Sequence, residues 1–407
     1  MRSFRTIRFF RIALVLGLLV GGLGVGSVAL ASIPVWSVQK SPNRGGAGYT
    51  NDLYGVAATS ADNAWAVGSY IKGAVLGPIE PARKAGTFAK RPPWRTVIER
   101  WNGKAWRLQA SPDPGGTNDS YLSGVAAASA HDAWAVGYYE KKQATDLALI
   151  EHWDGKSWKT ETSSSGSHVS GLSGVAATSA SNAWAVGYLH NGTDKPLIEH
   201  WNGKAWHTQK SPNPSAPGGD AYLDGVAGAS PDNAWAVGDY YNGTVDQTLI
   251  EHWNGKSWKV QPSPNPSGSS NNNYLDGVTA TGANNAWAVG FSDYGAIDQT
   301  VIEHWNGKTW KVQPSVDPSG PLQDNLLLGV AATSPKNAWA VGWDINSSAA
   351  QTMVQHWNGH EWTMQASANP GRGAAVYGVT AVSSHNAWAV GARSTKTVQR
   401  SLIEHGP

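Results

Sequence analysis

The chain is 407 residues long, enough for one large or two ordinary domains, and it is rich in glycine (47) and tryptophan (22). It has no cysteine, which excludes a disulfide framework, a thiolate zinc site and a cysteine nucleophile. The formal charge is +2 and becomes −2 without the first 31 residues, which carry four arginines and no acid; such a near-neutral chain does not look built for nucleic acid.

Taken in chain order, Arg2, Arg5, Arg8 and Arg11 precede the apolar run IALVLGLLVGGLGV, and ALA at 29–31 supplies small residues for cleavage. Residues 1–31 are therefore expected to be a signal peptide cut after Ala31. The remaining chain, 32–407, would be secreted or held at the cell surface, outside the cytoplasm. If the segment were retained, it would be the only membrane contact. Directly after it, VWSVQKSPN (35–43) matches SWKVQPSPN (257–265).

Self-similarity governs everything downstream. NAWAVG, once DAWAVG, occurs seven times, centred on Trp65, Trp134, Trp184, Trp235, Trp287, Trp339 and Trp388. Each unit reads as four short strands, resembling YLDGVAATS, NAWAVGYY, TLIEHW and SWKVQPS in turn. Val, Ile, Thr and Trp fill these runs, and Gly, Asn, Pro and Ser separate them. Asn-Gly joins the third strand to the fourth and predicts a type I′ hairpin with two positive φ angles. The first unit alone carries an insertion, IKGAVLGPIEPARKAGTFAKRPPWR (71–95). The last unit stops at SLIEHGP (401–407), short of its fourth strand.

Seven units of four strands predict an all-β fold, a seven-bladed β-propeller, because ring closure protects sheet edges that a linear array would expose. The missing fourth strand is the one beside the signal segment. Trp36 to Lys40 should pair with Leu402 to His405 and close the ring through 32–407. The NAWAVG strand followed by an N-G-K-x-W turn resembles secreted bacterial propellers with sialidase-type (BNR-type) or photosystem-assembly-factor-type repeats, over about 36–405. The turn is one residue shorter than the sialidase Asp-box. The resemblance implies the propeller and its closure.

Twenty of the 22 tryptophans occupy three repeat positions, which assigns them to wedges between blades. The Glu-His pairs, such as Glu251/His252 and Glu303/His304, recur once per blade and so cannot converge on one metal ion. A hydrogen bond from an indole or a backbone group to each glutamate is expected instead. The inventory also counts against known propeller enzymes. A sialidase arginine triad is missing, since Arg107 is the only arginine between 101 and 371, and no nucleophile, zincin or phosphate-loop motif occurs.

Short, near-constant turns define one face of the ring, with Lys104, Lys156, Lys204, Lys256 and Lys308 in its hairpins. The other face has variable loops, every tyrosine and most aspartates. This variable face is expected to bind a glycan or an extracellular protein. The candidate contacts are Asp224, Asp276, Tyr139, Tyr188, Tyr240, Trp343 and Trp94. Asp224 and Asp276 hold the same repeat position in adjacent blades and are expected at the channel rim, where they could share a ligand or Ca²⁺. No other cofactor and no catalytic residue is assigned, and the chain is expected to act as a monomer. Two further readings are a carboxylate-dependent glycan hydrolase or lyase, and a purely structural surface protein. A contrasting reading of the face is that Tyr seals strand ends and Asp makes turns.

Overall fold

A computed structural model describes residues 36–73, 91–141, 145–295, 297–346 and 349–407. The expected signal peptide and most of the blade-one insertion lie outside the described residues. The described chain is all β and forms seven four-stranded antiparallel sheets arranged as a propeller. Blade one comprises Tyr49–Ser60, Asn63–Lys72, Arg95–Trp101 and Trp106–Gln109. Blade four comprises Ala221–Ser230, Asn233–Tyr241, Asp246–Trp253 and Trp258–Gln261. Blade seven takes three strands from the C-terminal end, Ala374–Ser383, Asn386–Ser394 and Gln399–Gly406, and its fourth, Ser37–Val38, from the other end.

The closure follows the register read from the sequence. Ser37 pairs with His405 and Val38 with Glu404, and the Gln39 amide donates to the Ile403 carbonyl at 2.8 Å. Gly406 stands where the other blades carry the tryptophan that opens the hairpin. A Cβ there would lie 2.5 Å from the Trp36 ring, so the glycine leaves room for that indole, which is fully buried. Trp36 Nε1 donates to Gln365 Oε1 at 2.8 Å, tying the closing strand to blade six as well.

The repeated tryptophans are the mortar between blades. Trp65 of blade one lies 5.0 Å from Trp153 and 5.2 Å from Trp158 of blade two, the second contact edge to face. Trp388 of blade seven repeats this on Trp101 and Trp106 of blade one, at 5.0 and 5.2 Å. Each such ring removes ~150–250 Å² from water. The hairpin-opening indoles also hydrogen-bond a turn carbonyl, as Trp101 Nε1 does to Ala61 O at 2.9 Å.

The hairpin is not the expected type I′ turn. Trp101 pairs with Trp106 across four residues, Gly103 has φ +83°, and Asn102 is not among the positive-φ residues. Asn is needed for its side chain: Asn102 Oδ1 accepts the amides of Lys104 and Ala105 at 3.1 and 3.0 Å. Asp154 does the same in blade two, which explains why Asp can replace Asn there.

Candidate functional site

The Glu-His pairs are split by strand alternation. The histidines stack on the NAWAVG tryptophans, with His152 4.0 Å from Trp134 and His304 4.0 Å from Trp287. Burial lowers the proton affinity of His200, His252, His304, His356 and His405. In blades two to six the first residue of the NAWAVG motif meets the ring edge, as Asn285 Oδ1 meets His304 Nε2 at 2.8 Å.

The glutamates point the other way, into the seam with the preceding blade. Their partner is neither an indole nor, in most seams, the backbone. It is a serine hydroxyl from that blade's exit loop: Ser41 for Glu99 (2.9 Å), Ser111 for Glu151 (3.1 Å), Ser211 for Glu251 (2.7 Å), Ser263 for Glu303 (3.1 Å) and Ser367 for Glu404 (2.6 Å). Burial, opposed by the serine hydroxyl and at Glu99 also by the Asn43 backbone, pushes Glu99 and Glu404 up to about 7, and Glu151, Glu251 and Glu303 up to about 8. Glu199 accepts the Ser163 hydroxyl at 2.6 Å and also the amides of Ser164 and Ser165, both at 3.1 Å. These roles are structural, and no group of three His, Asp or Glu among the described residues could hold a metal.

At the centre of the ring the first strands converge. Each has a bulge before its Gly-Val, and each of these glycines packs against the next blade. A Cβ on Gly225 would lie 2.9 Å from the Asp276 carbonyl and 3.2 Å from Gly277 Cα. The same approach runs through Gly55, Gly124, Gly174, Gly225, Gly277, Gly329 and Gly378, and returns to Gly55. Only residues without a Cβ let seven backbones come this close around one axis.

The seven residues preceding those glycines therefore form a ring of their own: Tyr54, Ser123, Ser173, Asp224, Asp276, Leu328 and Tyr377. Asp224 and Asp276 are adjacent in it and half-buried, each at the bulge of its strand. The ring has two characters. Tyr54 and Tyr377 stack at 5.8 Å and 26°, with Leu328 packed beside them. Ser123, Ser173, Asp224 and Asp276 make up the remaining arc.

Asp52, which the sequence reading passed over, adjoins the aromatic arc. It is 4% exposed, burial pushes it up to about 7, and its Oδ1 has no hydrogen-bond partner among the described residues. Burial first, and then the charge of Asp52, raise the hydroxyl proton affinities of both Tyr54 and Tyr377. A signal existed in the repeat. At three residues before the ring glycine the other blades carry Tyr, Gly, Leu or Ala, and only blade one carries an acid.

Most other expected contacts serve the seams. Trp94 is 1% exposed in a cluster with Ile71 and Tyr121, and Trp343 is 5% exposed against Ala375 and Tyr377. Neither indole is presented to solvent in this structure. Tyr139 and Tyr240 are half-buried against the cores shared with blades one and three. Tyr188 lies over Gly171, where two neighbouring blades have tyrosine, and feels the charges of Asp146 and Asp194. Tyr222 donates to Asp194, and Tyr274 donates to Asp246 at 3.2 Å, each reaching back one blade. Sequence reasoning had no way to tell such blade staples from a binding surface, because both use Tyr and Asp in loops.

No protein-family model matches the chain, and no curated protein matches its sequence. Solved structures do match. YCF48 from Cyanidioschyzon merolae superimposes with a TM-score of 0.51 at 14% identity, covering 91% of this chain and 98% of that one. YCF48 bound to D1 peptide gives 0.51 at 12%, covering 92% and 98%. A polysaccharide lyase of family PL25, an ulvan lyase bound to -[GlcA(1-4)Rha3S]-, gives 0.53 at 11%, covering 88% and 94%. The likeness is one of fold. Within the propeller, the axial ring and Asp52 are the chemistry that the seams do not absorb.

Proposed function

We propose that the protein is an exported, non-enzymatic propeller that holds a glycan at the axial mouth of its variable face. The observation that carries this reading is the two-sided ring. A pyranose has an apolar C–H face and a polar hydroxyl rim. The Tyr54–Tyr377 stack with Leu328 suits the first, and Ser123, Ser173, Asp224 and Asp276 suit the second. Two of the fold neighbours are described with bound ligands, one a saccharide and one a peptide, so the scaffold accommodates either class. Asp224 and Asp276 could also share Ca²⁺ with such a ligand.

A glycan array probed with the full chain tests this. Selective binding is expected, and it should be lost in Asp224→Asn/Asp276→Asn and in Tyr54→Ala variants that keep their thermal stability. Binding of no saccharide would overturn the reading, and capture of a defined peptide at the same residues would move it to an extracellular protein partner. A second reading, a glycan hydrolase or lyase, is favoured by one observation. Asp52 is a buried acid held near 7 beside two tyrosine hydroxyls, the protonation state a general acid requires. Turnover of a bound sugar that Asp52→Asn abolishes would establish it.

A further inference from the structure

The constant face carries a second surface that the axial site does not use. Every W-N-G-K hairpin presents an indole and, three residues on, an ammonium group. The hairpin is rigid: Asn254 Oδ1 accepts the amides of Lys256 and Ser257, both at 3.1 Å, and Trp253 Nε1 donates to Pro231 O at 3.1 Å. The same set recurs at Trp201/Lys204 and Trp305/Lys308. These three indoles are half-buried rather than sealed, and the three lysines are exposed.

The charge is not neutralised locally. Across blades three to five, Lys204, Lys256 and Lys308 in the hairpins and Lys259 and Lys311 on the adjoining outer strands meet one carboxylate, Asp232, in the turns of that face. Among the described residues none of these five lysines is in an ion pair. Elsewhere on the face Asp154 pairs with Lys159 (2.6 Å) and Asp132 with His152 (3.1 Å).

We infer that this sector of the constant face docks a linear acidic polysaccharide, its carboxylates on the hairpin lysines and its sugar rings against the neighbouring indoles. Repetition from blade to blade suits a repeating polymer, since each added contact acts at high effective concentration once the first is made. The indoles argue for sugar rings rather than charge alone. Docking here would leave the axial mouth on the opposite face open. This inference does not depend on what that mouth binds.

Polygalacturonate is the probe, and the full chain is titrated with it at low and moderate salt. Binding that weakens steeply with salt is expected, together with a change in tryptophan emission. A variant carrying Lys→Gln at 204, 256, 259, 308 and 311 should lose at least about tenfold in affinity while its melting temperature stays put; Lys→Arg at the same positions should retain binding. Three outcomes would overturn the inference: no binding at low salt, equal binding by the Gln variant, or binding of inorganic polyphosphate, anionic phosphatidylglycerol vesicles or duplex DNA as tightly as polygalacturonate.

Discussion

The seam between blades four and five and the seam between blades five and six come from the same repeat, yet they close on different chemistry. In the first, Ser263 donates to Glu303 and is followed by Pro264, which has no amide to offer. In the second, Val316 replaces that proline and Gln355 replaces the glutamate. Gln355 Oε1 accepts the Val316 amide at 3.0 Å, and its Nε2 donates to the Val316 carbonyl at 2.7 Å. A peptide with both groups is met by an amide with both groups. A hydroxyl beside a proline is met by an acid that burial pushes towards its neutral form. The repeat thus keeps a hydrogen bond across the seam and not a charge.

The largest effect should come from the seam that is not continuous in the chain. Trp36→Ala empties a fully buried site beside Gly406 and should cost about 3–5 kcal/mol in denaturant unfolding. Deletion of residues 33–43 should expose the edge of blade seven and promote aggregation. A truncated chain that melts like the intact one would show that the closing strand contributes no stability.

Exchanging the two chemistries should be asymmetric. Gln355→Glu removes the donor to the Val316 carbonyl and buries a second acceptor, at about 1–3 kcal/mol. Glu303→Gln, where Ser263 can still donate to an amide oxygen, should cost under about 1 kcal/mol. Adding Pro264→Val to Glu303→Gln should recover stability, and simple additivity in that double-mutant cycle would count against the pairing of loop and side chain.

The acid seams also set a pH dependence. Their glutamates are raised from 4.5 to about 7 or 8, so the folded state holds protons that the unfolded chain has released. Their contribution is fully present below about pH 4.5 and is lost as pH rises through about 7–8. Histidines that burial holds neutral act in the opposite sense below their ordinary value of 6.5, so the fall in melting temperature should show between about pH 6.5 and pH 8. Each Glu→Gln replacement should flatten that slope, whereas Gln355→Glu, which adds a buried acid, should steepen it. A flat profile in the wild type would mean that water or a cation reaches these carboxylates. The smallest effect should be at Asp52, one group raised to about 7. Asp52→Asn should be near neutral at pH 5 and slightly stabilising at pH 8, read from the same melting curves.

Much of this could be read without coordinates. The spacing of NAWAVG counted the blades, and VWSVQKSPN supplied the strand that SLIEHGP lacked. The paired replacement at 316 and 355 was visible too, but nothing in one sequence says that residues 39 apart touch. The site was less legible. Asp224 and Asp276 stand in adjacent blades, each at a strand bulge that the sequence did not announce, because a bulge shifts register without altering the hydrophobic pattern. Trp94 and Trp343 resemble exposed loop aromatics in sequence, and it is the adjacent blade that buries them.

What the sequence determined by itself was whatever depends on local periodicity: strand alternation, turn residues, the number of repeats and the matching ends. Those signals act within a few residues and repeat seven times, so each copy reinforces the others. What only the tertiary structure decided was which polar and aromatic side chains are spent on the seams and which are left around the axis. Most seams join residues about forty positions apart, as Ser263 meets Glu303, and burial there is created by a neighbour that the local sequence does not contain. The glycine ring shows this most directly, since a glycine in any one blade looks like a turn until the next blade's backbone arrives against it.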